Sequence, residues 1–219
     1  MPLPDPKVVG RYAAKRLLRR VLYRYPPIGL QPARLYAWAD ALLTTLNIDG
    51  DVVEVGCSAG GTAAWSYQLL RSQDSKKRYV CVDTFGGFVS GQFESDTLRG
   101  TSAKTRHDFS ANSVQLVRRT LDGLGAHEVE LVKGDILELD ASALPERVST
   151  ALLDTDLYAP IMASLEKVVP RLSAGAIVLV DDCAPGGNWK AADAYRDFCK
   201  ATARPEEYVH GMGVVRGPA

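Results

Sequence analysis

Apolar residues recur at two different spacings along this chain. Up to about residue 48 they return every three or four positions, which is typical of amphipathic helices. From residue 51 onward, short apolar runs alternate with segments of helical spacing. This alternation predicts an α/β domain with a mostly parallel sheet, because parallel strands need crossover helices between them. The predicted strands are 51–55, 78–82, 129–133, 151–153, 176–180, 208–209 and 214–215.

Helices are predicted before, between and after these strands, at residues 5–23, 32–46, 62–73, 113–124, 159–172 and 190–202. Asp5 and Pro6 suit the N-cap and the first position of the first helix. We divide the chain into a helical amino-terminal extension, 1–48, and an α/β domain, 49–219. The extension is expected either to cover an acceptor or to form an oligomer contact. The polar segment 84–111 shows little periodicity, and loops of this length often act as lids.

The composition is that of an ordinary globular protein, with 46% hydrophobic and 24% charged residues. No apolar run approaches the roughly 18 residues of a membrane-spanning helix. The amino terminus lacks the apolar core of a secretory signal, so we expect a cytoplasmic protein. Basic and acidic residues balance at 26 each, which argues against nucleic acid as a partner, although segment 1–24 is strongly basic. Four cysteines at no metal-binding spacing are expected to be buried, reduced thiols.

A glycine-rich turn, Gly56 to Gly61, follows the first predicted strand. Glycine at such a turn lets the backbone approach a ligand, and the next helix offers free N–H donors. Ser58 stands where a nicotinamide fingerprint requires glycine, and no phosphate-binding Gly-Lys pair is present. The pattern Glu-x-Gly-x-x-x-Gly-Gly resembles motif I of class I S-adenosylmethionine-dependent methyltransferases. That resemblance implies that the turn binds the methionine part of the cofactor, with contacts from Glu54, Gly56, Ser58, Gly60 and Thr62.

Two further acidic residues follow predicted strands at positions that suit the same cofactor. Asp83 comes 27 residues after Gly56, at the end of the second strand, where an acid accepts hydrogen bonds from a ribose diol. Thr84 follows it directly. Gly134 and Asp135 follow the third strand, and the methyltransferase resemblance implies that Asp135 lies beside the adenine amino group.

Four aspartates end the next two predicted strands. Asp154 and Asp156 point to the same side of an extended chain, and Asp181 and Asp182 follow the neighbouring strand. Adjacent strand ends lie about 5 Å apart, so these carboxylates would repel one another without a cation. Oxygen ligands suit Mg²⁺ or Ca²⁺. The sequence therefore predicts a site for a hard divalent cation.

The order of these motifs resembles one family in particular. Asp-Thr-Asp-Leu-Tyr, a helix, a glycine turn, an apolar strand and Asp-Asp are similar to the macrocin/mycinamicin type of sugar O-methyltransferase. Segment 83–88 resembles that family's Asp-Ser-Phe-Glu-Gly-Leu, whereas Gly86 and Thr155 depart from its usual residues. The resemblance implies a Rossmann-like class I methyltransferase fold, with a seven-stranded, mostly parallel sheet and helices on both faces. It also implies Mg²⁺ ligands Asp154, Asp181 and Asp182, a cofactor contact by Asp154, and Asp156 as general base.

The predicted function is Mg²⁺-dependent methyl transfer from S-adenosylmethionine to a sugar hydroxyl. The sugar would belong to a glycoside, a natural product, or an oligo- or polysaccharide such as a methylated mannoside. A sugar hydroxyl is a very weak acid, so a metal that lowers its pKa and a base that accepts its proton would both help it react. Catechol or caffeoyl-type methyltransferases are the alternative, and an aromatic-rich pocket would favour them. A nicotinamide oxidoreductase and a non-catalytic cofactor-binding subunit are weaker alternatives.

Several other side chains are candidates for contacts with the acceptor. His107 and Asp108 lie in the predicted lid, Trp189 follows the second aspartate pair, and His210 precedes the last strand. Tyr23, Tyr25 and Tyr36 are candidates from the amino-terminal helices. The expected partners are a small-molecule or saccharide acceptor and a second copy of the chain in a dimer.

Overall fold

The computed structural model describes residues 25–218, so the predicted helix 5–23, with its basic residues and Tyr23, lies outside the described residues. The described chain begins with helix α1 (Pro32–Thr44) and then alternates strands and helices. These are β1 (Asp51–Val55), α2 (Gly61–Ser72), β2 (Tyr79–Asp83), α3 (Ser90–Leu98), α4 (Val114–Gly123), β3 (Glu130–Lys133), β4 (Val148–Leu153), α5 (Tyr158–Val168), β5 (Leu172–Val180), α6 (Ala191–Ala201), β6 (Glu207–Val209) and β7 (Met212–Arg216).

The strands form one seven-stranded sheet in the order β3-β2-β1-β4-β5-β7-β6. Strands β1 to β5 pair in parallel, whereas β7 is antiparallel to both β5 and β6. The sheet is therefore mostly parallel, as predicted. Strands are added to one side of β1 up to β3 and to its other side from β4 onward. Open α/β sheets bind ligands in the crevice at such a switch point.

Side chains alternate between the two faces of this sheet, and each face is covered by helices. Val53 and Val55 point into a core cluster with α5 and α6. Val52, which directly precedes Val53, belongs to the opposite cluster with α1, α2 and α4. A strand buried on both faces has no polar side, which explains the continuous apolar runs in the sequence. The predicted helices on both faces are confirmed.

Helix α1 packs into the sheet's core. Trp38 is fully buried, and its indole Nε1 donates a hydrogen bond to Ser66 Oγ on α2 over 2.8 Å. Burying a large aromatic side chain contributes several kcal/mol, so this contact ties α1 firmly to the α/β layer. The predicted boundary at residue 48, and a role for residues 1–48 as a cap or oligomer contact, stay predictions. None of the helices in residues 25–218 is long and apolar enough to cross a membrane.

Two local predictions differ from the structure. Segment 84–111 contains the helix α3, because Phe93 and Asp96 are buried one helical turn apart while the rest of the helix stays polar and shows no long apolar stripe. The helix predicted over 159–172 ends at Val168, since Pro170 cannot continue it. Strand β5 then begins at Leu172, four residues before its predicted start, and it includes Gly175 at φ +77.

Candidate active site

A cavity of about 370 Å³ opens at the carboxyl ends of β1, β2, β4 and β5. Every predicted site residue lines it except Gly60, which precedes α2 at the cavity's edge. The predicted residues that line it are Glu54, Gly56, Ser58, Thr62, Asp83, Thr84, Gly134, Asp135, Asp154, Asp156, Asp181 and Asp182. The parallel topology thus brings together side chains that are far apart in the sequence, as the strand-end argument predicts.

The glycine turn after β1 needs glycine for steric reasons. Gly56 has φ +86, and a Cβ on it would lie 2.0 Å from the carbonyl oxygen of Asp154. Gly60 has φ +77, and a Cβ there would lie 2.9 Å from Val117. A Cβ on Gly61 would lie 2.1 Å from the Pro27 carbonyl oxygen. The turn therefore lets the backbone of Asp154 and Pro27 and the side chain of Val117 approach it closely.

Asp83 holds this turn in place. Its Oδ2 accepts hydrogen bonds from the backbone N–H groups of Cys57 and Ser58, over 2.9 and 3.0 Å. Its Oδ1 accepts one from the N–H of Phe85 over 2.7 Å. Hydrogen bonds from N–H groups to a carboxylate are stronger than neutral ones. The predicted ribose-binding acid is thus also the brace of the glycine turn.

Glu54 lies directly beneath the turn. It is 1% exposed, and the hydroxyl of Tyr79 donates a 2.6 Å hydrogen bond to it. Burial raises the pKa of Glu54 to about 8. A carboxyl group with this pKa is largely protonated at neutral pH, so the floor of the cavity carries less negative charge than its composition suggests.

The third strand contributes Gly134 and Asp135 to the cavity wall. Asp135 Oδ2 accepts a 2.6 Å hydrogen bond from the amide of Gln92 on α3, and its Oδ1 accepts one from the N–H of Leu137. Thr84 donates to the Gly87 carbonyl over 2.7 Å. These contacts join segment 84–111 to the strand ends.

A cluster of carboxylates lies at the ends of β4 and β5. Asp154, Asp156 and Asp182 each offer an oxygen, and these three oxygens lie within 4.8 Å of one another. Burial raises the pKa of Asp154 well above its usual value, and the charges of Asp181 and Asp182 raise it further. Burial and then the charge of Asp154 raise the pKa of Asp156 in the same direction. Burial and mutual repulsion therefore disfavour the charged form of these carboxyl groups unless a cation lies nearby.

Asp181 lies beside this cluster, and its carboxylate pairs with Arg34 on α1. Burial, followed by the charge of Asp182, raises the pKa of Asp181 to about 6. Its Oδ1 forms an ion pair with Arg34 Nη1 over 2.9 Å, whereas the hydroxyl of the neighbouring Thr155 is buried without a hydrogen-bond partner among residues 25–218. Buried polar atoms without partners are uncommon, and each one suggests that a bound group completes the site.

Three aromatic side chains line the same cavity as the carboxylates and form an aromatic wall. We define it as Phe88, Phe109 and Trp189, all of which line the cavity. Phe88 is at the centre, with ring centroids 5.3 Å from Phe109 and 5.5 Å from Trp189. The loop of Trp189 is fastened to segment 84–111, because Asn188 accepts hydrogen bonds from Thr101 Oγ1 and the Ser102 N–H. The wall is thus built from the predicted lid and the loop after β5.

A family model described as macrocin O-methyltransferase (TylF) matches residues 31–215 of the chain. The chain belongs to the macrocin O-methyltransferase family. It is accordingly an S-adenosylmethionine-dependent O-methyltransferase, and the resemblance stated from its motifs is confirmed. The nicotinamide oxidoreductase alternative is excluded by the same finding.

Relatives and solved structures agree with this assignment. The methyltransferase is 29% identical, over 97% of its chain and 80% of the relative, to 8-demethyl-8-(2,3-dimethoxy-alpha-L-rhamnosyl)-tetracenomycin-C 4'-O-methyltransferase of Streptomyces olivaceus. It is 30% identical, over 68% of its chain and 59% of the relative, to demethyldecarbamoylnovobiocin O-methyltransferase of Streptomyces niveus. The fold is similar to the O-methyltransferase NovP, with a TM-score of 0.71 and 21% identity, over 85% of this chain and 80% of that one. It is also similar to the calicheamicin methyltransferase CalS11, with a TM-score of 0.67 and 21% identity, over 98% and 94%.

Arg34 of the methyltransferase is a site residue that the sequence motifs missed. It lies on α1 and reaches the second aspartate pair, with its Nη1 2.9 Å from Asp181 Oδ1 and 2.6 Å from Asp182 Oδ1. One signal was present. Arg34 stands in the first turn of a helix, where the helix dipole disfavours a cation that has no anionic partner.

The remaining candidates divide between the cavity and the surface. Trp189 lines the cavity. His107, Asp108 and Tyr25 are exposed, and none of them lines it. The rings of Tyr36 and His210 meet edge to face at 6.3 Å, also away from the cavity. All four cysteines are free and buried, as predicted.

Proposed function

We propose that this methyltransferase methylates a hydroxyl of a sugar carried by a glycoside, a natural product or an oligo- or polysaccharide, in a Mg²⁺-dependent reaction. The named relatives support the acceptor class, because one acts by its name on a rhamnosyl-tetracenomycin and the other on a novobiocin precursor. The observation that carries the proposal is the convergence of Asp154, Asp156 and Asp182 beside the braced glycine turn.

The β1 and β2 ends would hold the cofactor, which supplies the methyl group from a sulfonium sulfur. We assign contacts with its methionine part to the turn, through Gly56, Ser58 and Thr62, with Glu54 beneath and Gly60 shaping the turn. Asp83 and Thr84 lie at the end of β2, where a ribose would be bound. Gly134 and Asp135 are assigned to the adenine end, where the amide of Gln92 now occupies one oxygen of Asp135.

The second aspartate pair and Asp154 fit a hard divalent cation. Carboxylate oxygens are the ligands that Mg²⁺ prefers. Burial and the charges of Asp181 and Asp182 raise the pKa of Asp154, and a cation bound among these carboxylates would relieve their repulsion. We assign Asp154, Asp181 and Asp182 as its ligands, with Asp154 also at the cofactor's edge. When bound, Mg²⁺ would lower the pKa of a coordinated hydroxyl and orient it.

Asp156 is assigned as the general base. It is 8% exposed. Its backbone carbonyl accepts hydrogen bonds from the N–H groups of Lys190 and Ala191, which hold it against the start of α6. Its φ of +63 is unusual for an aspartate and turns the side chain toward Asp154 and Asp182. Burial raises its pKa and makes the carboxylate a stronger proton acceptor, which suits a weakly acidic sugar hydroxyl.

The aromatic wall is assigned to the acceptor. Pockets for small molecules combine apolar and aromatic walls with a few fixed polar groups, and here the wall and the carboxylates line one cavity. The same wall favours the alternative acceptor class, catechol or caffeoyl-type compounds with vicinal aromatic hydroxyls. The assay must therefore contain both classes.

The test is transfer of labelled methyl from S-adenosylmethionine to a panel of sugar glycosides and catechols, run in parallel with Mg²⁺ and with EDTA. We expect label on a sugar, lost with EDTA and restored by Mg²⁺. Label on catechols alone would replace the sugar assignment by the alternative. Equal transfer with EDTA would contradict the metal role of the aspartates while leaving the methyltransferase assignment intact. The predicted dimer and cytoplasmic location stay predictions.

A further inference from the structure

Arg34 supplies a positive charge at the place where the aspartate pair needs one. Its Nη1 lies within 3.0 Å of oxygens of both Asp181 and Asp182. The guanidinium side chain is 11% exposed, and those of the two aspartates are 7% and 23% exposed. A cation shared by these two carboxylates would have to lie close to the position that Nη1 occupies.

The guanidinium group is held less completely than is usual for a structural arginine. Arginine normally binds carboxylates through two parallel N–H groups. Of the guanidinium nitrogens, Nη1 alone donates hydrogen bonds to Asp181 and Asp182, and the buried Nε has no partner among residues 25–218. Nη2 lies 3.7 Å from the position that a Cβ on Gly211 would occupy, too far for a hydrogen bond. Much of its hydrogen-bonding capacity is therefore unused.

The position of Arg34 in its helix adds a second cost. Pro32 begins α1, so Arg34 stands in the first turn, which contains no acidic residue. The amino terminus of a helix carries partial positive charge and is unfavourable for a cation. The carboxylates at the ends of β4 and β5 are what stabilise the charge there.

We propose that Arg34 is an exchangeable counter-ion, which holds Asp181 and Asp182 when no metal is bound and leaves them when a divalent cation binds. The inference rests on the metal site of the proposed function. Two cations beside the same pair of carboxylates repel each other, and a guanidinium group bound through one nitrogen is easier to displace than one bound through two. Arg34 would then keep the ligands in position and set the metal affinity by competition.

The test is Mn²⁺ binding to the full-length protein without cofactor or acceptor, measured from the signal of free Mn²⁺ by electron paramagnetic resonance. We expect Arg34→Gln to bind Mn²⁺ about tenfold or more tightly than the wild-type protein, because the competing charge is gone. Arg34→Lys keeps the charge and should bind close to the wild-type affinity. Arg118→Gln, on α4 with its own partner Asp122, is the matched control and should change nothing.

A second readout separates competition from damage to the fold. Without metal, Arg34→Gln should unfold at a lower temperature than the wild-type protein, and saturating Mn²⁺ should raise its melting temperature by more. Adding Asp182→Asn to Arg34→Gln should abolish the tighter Mn²⁺ binding, which would show that the ion binds beside the aspartate pair. Equal or weaker Mn²⁺ binding by Arg34→Gln would overturn the inference and make Arg34 a residue that orients the ligands. Absence of Mn²⁺ binding in every variant would overturn it together with the metal part of the proposed function, whereas the labelled-methyl assay would still report methyl transfer.

Discussion

The two halves of the cavity are built in different ways. At the ends of β1 and β2, polar groups have fixed partners, since Asp83 accepts three backbone N–H groups and Glu54 accepts the hydroxyl of Tyr79. At the ends of β4 and β5, carboxylates face one another, and Arg34 is the cation that contacts them among the described residues. The first half is complete without a ligand, whereas the second half needs a positive charge. A binding surface for a cofactor can be rigid in advance, but a group that accepts a proton must keep its oxygens available.

Both halves share strained backbone at the strand ends. Ser58 and Phe85 in the first half, and Asp156 and Asp182 in the second, all have φ between +44 and +63. Such conformations cost on the order of 1–3 kcal/mol each and persist where the surrounding structure enforces them. Ser58, Asp156 and Asp182 line the cavity, so the fold places these three side chains there at the expense of stability.

The largest expected effect is on the second half alone. Asp156→Asn removes the proposed base while keeping the side chain's shape, so kcat should fall by about 10²- to 10⁴-fold. Affinity for S-adenosylhomocysteine should stay within about threefold, because the first half is untouched. Single-turnover kinetics and calorimetric titration measure the two effects. A fall in cofactor affinity as large as the fall in kcat would show that the two halves do not act separately.

Gly56→Ala should damage both halves at once. The new Cβ would lie 2.0 Å from the carbonyl oxygen of Asp154, so β1 and β4 must move apart. We expect a loss of about 2–5 kcal/mol in the free energy of unfolding, from strain and overpacking together. Urea unfolding measures it, and Gly91→Ala is the control, since nothing lies within 4 Å of a Cβ there. Comparable unfolding curves for the two variants would contradict the close approach at the glycine turn.

Trp189→Ala should affect acceptor binding and spare the cofactor. Loss of one ring from the aromatic wall should raise KM for an aryl glycoside by about tenfold. Tyr36→Ala, whose ring contacts His210 outside the cavity, should leave KM unchanged. Steady-state kinetics with a fixed, saturating cofactor concentration measures both. A change confined to cofactor affinity would show that the aromatic wall binds the cofactor and not the acceptor.

Glu54 should set a pH dependence of stability that leaves the second half of the cavity untouched. Its folded pKa of about 8 exceeds the usual 4.5, so between these pH values the unfolded chain releases a proton that the folded chain keeps. Stability therefore falls as pH rises through this window, by up to about 1.4 kcal/mol per pH unit. Glu54→Gln should remove that slope. The difference in free energy of unfolding between this variant and the wild-type protein should therefore favour the variant more at pH 8 than at pH 5. Glu130→Gln, where Arg78 lowers the pKa of the carboxyl, should show no such gain in urea unfolding at the two pH values.

Much of the fold could be predicted from the spacing of apolar residues and from the polar residues that follow each strand. The seven strands and the two helical layers are visible in the sequence because Val53 and Val55 and their neighbours are buried on both faces. Helix α3 could not be predicted in this way, since only Phe93 and Asp96 of its residues are buried. Its stability comes from tertiary contacts, such as Phe88 stacking on Phe93 and the Asp96 carboxylate accepting the Tyr158 N–H.

The residues of the cavity were predictable where topology alone decides their place. Parallel strands bring Asp83, Asp154 and Asp182 to one edge whatever the loops do. Arg34 could not be inferred, because its partners lie more than 140 residues away and depend on how α1 packs. The aromatic wall was missed for the same reason, apart from Trp189. Contacts between elements that are distant in sequence can be identified only when the packing of those elements is known.

The most direct test of separate halves is a crossed binding experiment on Asp83→Asn and Asp182→Asn. Calorimetric titration with S-adenosylhomocysteine reports on the first half, and Mn²⁺ titration reports on the second. We predict that Asp83→Asn weakens S-adenosylhomocysteine binding by about 10- to 100-fold and leaves Mn²⁺ binding within threefold. Asp182→Asn should do the reverse, with about 100-fold weaker Mn²⁺ binding. If each substitution weakened both ligands equally, the cavity would be one cooperative unit, and the account of two separately built halves would be wrong.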